Sequence, residues 1–160
     1  MSASPASPSS AMRRAWMAVL AHTPCAELEA ALSQALNGAT PPEFDWLRRP
    51  ETGLAMVRGR IGGSGDAFNL GEATVTRATL RLRQPAGHAP VGVACHLGRD
   101  RRRAELAALA DALLQLPEQH ASLHGHLIEP LSVRLAEQRA ARRHDAASTR
   151  VEFFTMVRGD

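Results

Sequence analysis

Thr74-Val75-Thr76-Arg77-Ala78-Thr79-Leu80-Arg81-Leu82-Arg83 alternates without a break, with Thr74, Thr76, Ala78, Leu80 and Leu82 on one side and Val75, Arg77, Thr79, Arg81 and Arg83 on the other. Successive side chains of a strand point to opposite faces, so this segment reads as a strand with one buried face and one wet, arginine-rich face. Downstream, Pro85 to Pro90 reads as a turn, and Val91, Val93, Cys95 and Leu97 form another alternating strand. Upstream, Phe44 and Trp46, and then Leu54 to Ile61, look extended, with Gly62-Gly63-Ser64-Gly65 as a turn between strands. About four consecutive strands joined by short turns predict an antiparallel meander.

Helical periodicity flanks this sheet. From Arg13 to His22, Trp16, Met17 and Leu20 place one apolar stripe on a short helix. Thr23-Pro24 restarts the chain, with Thr23 as the expected N-cap of a second helix and Pro24 at its first position. That helix carries Leu28, Leu32, Ala35 and Leu36 on one face and stops at Asn37-Gly38. From Gly98 onward, Ala104, Ala107, Ala108, Ala110, Leu113 and Leu114 give a broad apolar surface that Pro117 ends, predicting a helix laid across the sheet. A weaker helix is expected over Gln119 to Leu127, and an arginine-rich one from Arg134 to Arg143, after Pro130. The fold class is α+β: an N-terminal helical hairpin, the sheet, C-terminal helices packed on it, and an apolar tail. Residues 1–12 read as a Ser/Pro leader and residues 13–160 as a single domain.

Composition sets the bounds on function. A chain of 160 residues with 44% apolar and 22% charged residues has ordinary globular proportions. No apolar run approaches the roughly 18–20 residues that span a bilayer, so the protein is expected to be soluble. All 19 cationic side chains are arginine, and the 16 acids leave a net charge of +3. Nucleic-acid binding needs a clustered basic patch, for which Arg101 to Arg103 and Arg139 to Arg143 are the only candidates. Cys25 and Cys95 make neither a disulfide framework nor a C-x-x-C pair, and read as two buried thiols in a reducing cytoplasm.

Few residues carry a chemical signal. Gly62, Gly63, Ser64 and Gly65 offer backbone N–H groups to an anion, or form only a hairpin turn; they lack the Gly-Lys-Ser/Thr ending of a nucleotide-binding loop. Arg99, in Gly98-Arg99-Asp100 at the start of the long helix, is a second candidate anion contact, with Asp100 as a simple helix cap and Arg101-Arg102-Arg103 facing solvent as the plainer reading. His120, His124 and His126 lack a carboxylate or thiol to complete a metal set, and His22 with Cys25 lacks an orienting group, so no metal site or catalytic dyad is assigned. Phe153, Phe154, Met156 and Val157 concentrate apolar side chains at a terminus, where they call for a partner.

Several stretches recur in a characteristic order: Trp16-Met17 with Val19-Leu20-Ala21-His22, Glu51-Thr52-Gly53-Leu54, Gly62-Gly63-Ser64-Gly65, Gly71-Glu72-Ala73-Thr74-Val75-Thr76-Arg77-Ala78, Gly98-Arg99-Asp100, and the run from Arg150 to Asp160. Taken together they closely resemble the PhnG family, the G subunit of the bacterial carbon–phosphorus lyase system of phosphonate metabolism. The Ser/Pro leader and the Arg139 to Arg143 stretch lie outside the resemblance.

The resemblance implies a cytoplasmic complex of G, H, I and J subunits acting on alkylphosphonates. In that family G, H and I, with the L protein, couple methylphosphonate to ATP, releasing adenine and forming α-D-ribose 1-methylphosphonate 5-triphosphate. The iron–sulfur cluster and S-adenosylmethionine belong to the J subunit, and the nucleosidase chemistry is attributed to I. No catalytic residue and no cofactor of G carries over, which implies an assembly role. Trp16, Phe153, Phe154, Met156 and Arg158 are then the expected partner contacts. Direct contact with a triphosphate or phosphonate through Gly62 to Gly65 or Arg99 is the alternative.

Overall fold

Helix α1 (Ser10–His22) opens the chain in a computed structural model that describes residues 9–60, 65–83 and 89–148. The Ser9 hydroxyl accepts from the Met12 N–H at 3.3 Å and caps it. The helix thus starts three residues before the expected Arg13, and residues 10–12 are helical rather than leader. Thr23 also departs from expectation. Its hydroxyl donates to the Val19 carbonyl at 2.9 Å, closing α1, while α2 (Cys25–Ala35) starts after Pro24 with no side-chain cap. A hydroxyl directed back to the carbonyl four residues earlier is not available to the N–H groups ahead of it. Helix α2 ends as expected, with Asn37 (φ 52°) and Gly38 (φ 71°) left-handed and the Gly38 N–H returned to the Ser33 carbonyl at 3.0 Å.

The sheet has three strands among the described residues, not four: β1 (Phe44–Gly59), β2 (Phe68–Leu82) and β3 (Val91–Leu97), antiparallel in the order β1-β2-β3. The two extended pieces read as separate strands are one strand. Its register against β2 shifts between Trp46 and Arg48 and again between Arg48 and Glu51. Pro50, which has no N–H for a ladder, sits in the second irregularity, where an edge strand tolerates it. The expected face of β2 holds: Thr76, Ala78, Leu80 and Leu82 are buried, and Arg77, Arg81 and Arg83 are exposed.

Strand β3 faces opposite to the hydrophobic reading. Gly92, Ala94 and His96 point inward, while Cys95 is exposed and Leu97 is 70% exposed. Helix α3 (Arg101–Leu114) decides this, because it lies so close that a Cβ on Gly92 would stand 1.9 Å from the Ala108 carbonyl oxygen. At Gly92 the helix leaves no room for any side chain. Cys95 is therefore not a buried thiol, and Cys25 is only half-buried.

Every α3 residue from Leu106 to Leu114 is buried, because α1, α2 and the C-terminal helices pack around it on the side away from the sheet. One of these residues is Asp111, which accepts from Arg13, the Trp16 indole N–H and the Val93 N–H. The last elements are α4 (Pro117–Leu123), a π-helical turn (His124–Ile128) and α5 (Glu129–Ser148), contiguous rather than separated at Pro130. The Glu129 N–H reaches back to the His124 carbonyl, and this wider turn directly precedes the proline that cannot donate to the ladder.

Candidate functional site

Gly62, Gly63 and Ser64 lie outside the described residues. Gly65 is described: it is exposed, left-handed at φ 85°, and its carbonyl accepts from Arg60 at 2.6 Å. The flanking residues Gly59 and Phe68 pair antiparallel, so the glycine cluster connects the two strands of a hairpin.

Arg99 is exposed in the turn between β3 and α3 and makes no hydrogen bond or ion pair among the described residues. The turn beneath it is held from several sides. The Gly98 N–H donates to the Thr74 carbonyl at 2.9 Å, and the buried Thr76 hydroxyl donates to the Gly98 carbonyl at 2.7 Å. The two ring nitrogens of His96, 4% exposed, lie 2.9 Å from the Leu97 and Asp100 carbonyl oxygens. Asp100 caps α3 through the Arg103 N–H at 2.9 Å. Leu97 pairs with Val75, whereas the glycine connection starts beyond Phe68, seven residues further along β2. At about 3.3 Å per residue this sets Phe68, at the start of β2, on the order of 20 Å from the end of β3 that leads into Arg99.

The proposed solvent-facing run Arg101 to Arg103 is largely engaged. Arg102 bridges Glu29 and Glu105 at 2.7 Å each, and Arg103 donates to the Ala21 carbonyl at the end of α1. Burial lowers the pKa of Arg103. On the outer face of the sheet, Arg83 pairs with Asp45 and Glu43, and Arg77 with Glu51. Arg77 and Arg83 therefore pair with neighbouring carboxylates instead of forming a free basic stripe.

His120 contacts the Leu114 carbonyl at 2.7 Å and packs on Trp16, with ring centroids 5.5 Å apart. His124 meets Glu129 at 3.3 Å, and His126 meets the Ser122 carbonyl at 2.9 Å. Among the described residues no three His, Cys, Asp or Glu side chains converge on a metal position. His22 is exposed and turned to the Ala18 carbonyl, and burial, then the Asp100 and Glu29 carboxylates, raise the Cys25 pKa.

Trp16 is not a partner contact in this chain: it is 1% exposed, and its indole N–H is taken by Asp111 at 2.9 Å. Phe153, Phe154, Met156 and Arg158 lie outside the described residues.

Sequence reasoning missed a cluster of exposed apolar side chains among the described residues. Strand β3 pairs with β2 only from Val75 to Arg81, so the other half of the β1–β2 hairpin extends past it as a two-stranded arm. Leu54 (65% exposed) and Met56 (53%) lie on the face continuous with the core. The register shift between Val57 and Arg58 puts one extra residue in β2, beside Gly71 (φ 152°). Leu70 (60%) and Phe68 (42%) then share the opposite face with Gly59 and Val57 (40%); a Cβ on Gly59 would stand 2.5 Å from the Leu70 side chain. The available signal was the uncharged run Thr52 to Val57. Among the described residues no helix is long and apolar enough to cross a membrane, so this arm is not explained by a spanning helix.

Residues 11–159 match the family described as phosphonate metabolism protein PhnG. A curated relative from Rhizobium meliloti (strain 1021), named alpha-D-ribose 1-methylphosphonate 5-triphosphate synthase subunit PhnG, is 47% identical over 151 residues, covering 94% of this chain and 91% of its own length. With matches of this extent across both its helices and its sheet, the chain belongs to the PhnG family.

Proposed function

We propose that this chain is an assembly subunit of a cytoplasmic synthase that makes α-D-ribose 1-methylphosphonate 5-triphosphate from ATP and methylphosphonate with release of adenine. Its partners are the H, I and J subunits of the carbon–phosphorus lyase core and the L protein. The chain itself holds no cofactor; the iron–sulfur cluster and S-adenosylmethionine belong to J. The name of the relative supports membership of such a synthase. The observation that carries the assembly role is the β1–β2 arm, which exposes Leu54, Met56, Val57, Phe68 and Leu70 on its two faces. Exposed apolar side chains gathered on one projection mark a surface that a partner covers.

Reconstitution tests this reading. Adenine release from ATP and methylphosphonate is measured with H, I and L in the presence and absence of this chain. Release is expected to require the chain, and undiminished release without it overturns the proposal. Phe153, Phe154, Met156 and Arg158 belong to the same role as anchors in a partner groove. Replacing both phenylalanines by Ala is expected to weaken co-purification with I, and unchanged assembly removes the tail from the interface.

A second reading gives the chain a direct contact with the triphosphate or phosphonate, with Gly62 to Gly65 or Arg99 as donors. What favours Arg99 is that it has no hydrogen-bond or ion-pair partner among the described residues, on a turn held by Thr76, His96 and Asp100. A guanidinium in that position can bind an oxyanion bidentately. Arg99→Ala in the assembled complex is then expected to raise KM for ATP while assembly is kept. An unchanged KM excludes Arg99.

A further inference from the structure

The backbone of β1 has an open edge, and its direction follows from the ladder. The Leu82 N–H donates to Pro90 and the Gly98 N–H to Thr74, so Thr74 and Leu82 turn their backbone groups toward β3. Arg83 donates to the Glu43 carbonyl, so the odd-numbered residues of β2 face β1. Their partners Glu51, Gly53, Ala55 and Val57 face back, in an unbroken register with Arg77, Val75, Ala73 and Gly71. Thr52, Leu54 and Met56 therefore direct their N–H and C=O groups away from the sheet, where β1 has no neighbouring strand among the described residues.

Edge strands are usually protected by charge, proline or bulges. The first half of β1 has these in Arg48, Arg49, Pro50 and two register shifts. The segment from Thr52 to Val57 has no charge and no proline. It also belongs to an arm of only two strands with apolar side chains on both faces, an arrangement that is marginal in water without a third strand.

We propose that Thr52, Leu54 and Met56 form a strand-addition site for an extended segment of another subunit of the synthase, apolar at its centre and acidic at both ends. This rests on the subunit reading above. The charge pattern selects this occupant. Arginines flank the uncharged stretch on both sides: Arg49 and the Glu51-paired Arg48 before it, Arg58 and Arg60 after it. Arg58 and Arg60 hold the carbonyl oxygens of Ala67 and Gly65 and have no carboxylate among the described residues. A second copy of this chain paired antiparallel about Leu54 would set Arg60 opposite Arg48 and Arg58 beside Arg49, four arginines against one Glu51 on each side of the new ladder, a net repulsion. A segment with a carboxylate at each end meets Arg49 at one end and Arg58 with Arg60 at the other, while main-chain hydrogen bonds hold its centre.

Hydrogen exchange on the complex co-purified with I tests the site without mutation. The Thr52, Leu54 and Met56 amides are expected to exchange at least about 100-fold more slowly than in the isolated chain, as newly hydrogen-bonded amides do. Equal rates overturn the proposal. So does protection already present in an isolated chain that runs as a dimer, because a second copy then holds the edge. Leu54→Ala and Leu54→Pro give the second measurement. Both remove the leucine side chain, but only proline removes the outward N–H, at an edge position where a strand tolerates it. The proline variant is expected to bind I at least about tenfold more weakly than the alanine variant, the scale of one lost main-chain hydrogen bond. Equal affinities overturn strand addition while leaving the subunit reading intact. Failure of the unaltered chain to co-purify with I removes the subunit reading itself.

Discussion

Arg13 Nη2 lies 2.6 Å from Asp111 Oδ2, a contact that joins α1 to α3 across 98 residues of chain, with the carboxylate 0% exposed. The same carboxylate takes the Trp16 indole N–H and the Val93 N–H, each at 2.9 Å. One side chain thereby fixes the N-terminal helix, the central helix and the outer edge of β3. Val91 completes the protection of that edge, its carbonyl accepting from Arg13 at 3.0 Å and Gln115 at 2.9 Å.

Asp111→Ala is expected to destabilise the chain by about 3–5 kcal/mol, because it leaves a guanidinium, an indole N–H and a backbone N–H without their acceptor. Against a typical total of about 5–15 kcal/mol this removes much of the folding free energy. Urea unfolding measures it. A loss under about 1 kcal/mol would show that water replaces the carboxylate and that α1 is held by its apolar face alone. Arg13→Ala is expected to cost less, since the arginine side chain is 32% exposed and Asp111 keeps the Trp16, Val93 and Gln115 donors.

Gly92→Ala tests the approach of helix to sheet. The new methyl group would meet the Ala108 carbonyl oxygen at 1.9 Å and the Ala112 Cβ at 2.8 Å, and a helix backbone cannot rotate away as a side chain can. Destabilisation at or above the upper end of about 1–3 kcal/mol is expected. Gly98→Ala is the comparison: φ is 107° with nothing within 4 Å of an added Cβ, so only backbone strain is introduced. Equal urea midpoints for Gly92→Ala and the unaltered chain would contradict the close packing of α3 on β3.

These contacts explain which parts of the fold were legible in the sequence. Strand β2 could be read because its inner residues, Ala78, Leu80 and Leu82, differ in polarity from Arg77, Arg81 and Arg83. Strand β3 could not, because the space under α3 admits Gly92 and Ala94 while Val93 and Leu97 face outward, and hydrophobicity alone points the other way. Asp111 sits within an apolar helix run, and only its distant donors reveal its role. The place of Arg99 between a strand and a helix was legible from Gly98 and Asp100 on either side of it. The arm was not, since exposure of Leu54 and Leu70 depends on where β3 stops.

Acid titration is expected to show two depressed carboxyls on the outer sheet. The Arg83 guanidinium holds the Asp45 carboxyl below its ordinary value, and Arg48, then Arg77, do the same to Glu51. A carboxyl lowered by folding contributes stability above its unfolded value, about pH 4, and that contribution is lost as pH falls through the lowered folded value. Carboxyl-carbon NMR titration should place both midpoints below the ordinary values and move them upward in high salt. Arg83→Ala should raise the Asp45 midpoint and leave Glu51 unchanged. An Asp45 midpoint indifferent to both changes would show that its contact with Arg83 carries no electrostatic weight in solution.

Alkylation distinguishes the two cysteines. Cys95 stands exposed on the outward face of β3, whereas Cys25 is half-buried at the start of α2. Burial raises the Cys25 pKa, and the nearby Asp100 and Glu29 carboxylates raise it further. The thiolate is the reacting species, so access and ionisation both work against Cys25. With iodoacetamide at pH 8, Cys95 of the isolated chain should be modified about tenfold or more faster than Cys25, followed by peptide mass spectrometry. Asp100→Asn removes one of the two raising charges and should narrow the gap from the Cys25 side, with Cys95 unaffected. Faster modification of Cys25 in the unaltered chain would contradict the packing of the α2 start against Asp100.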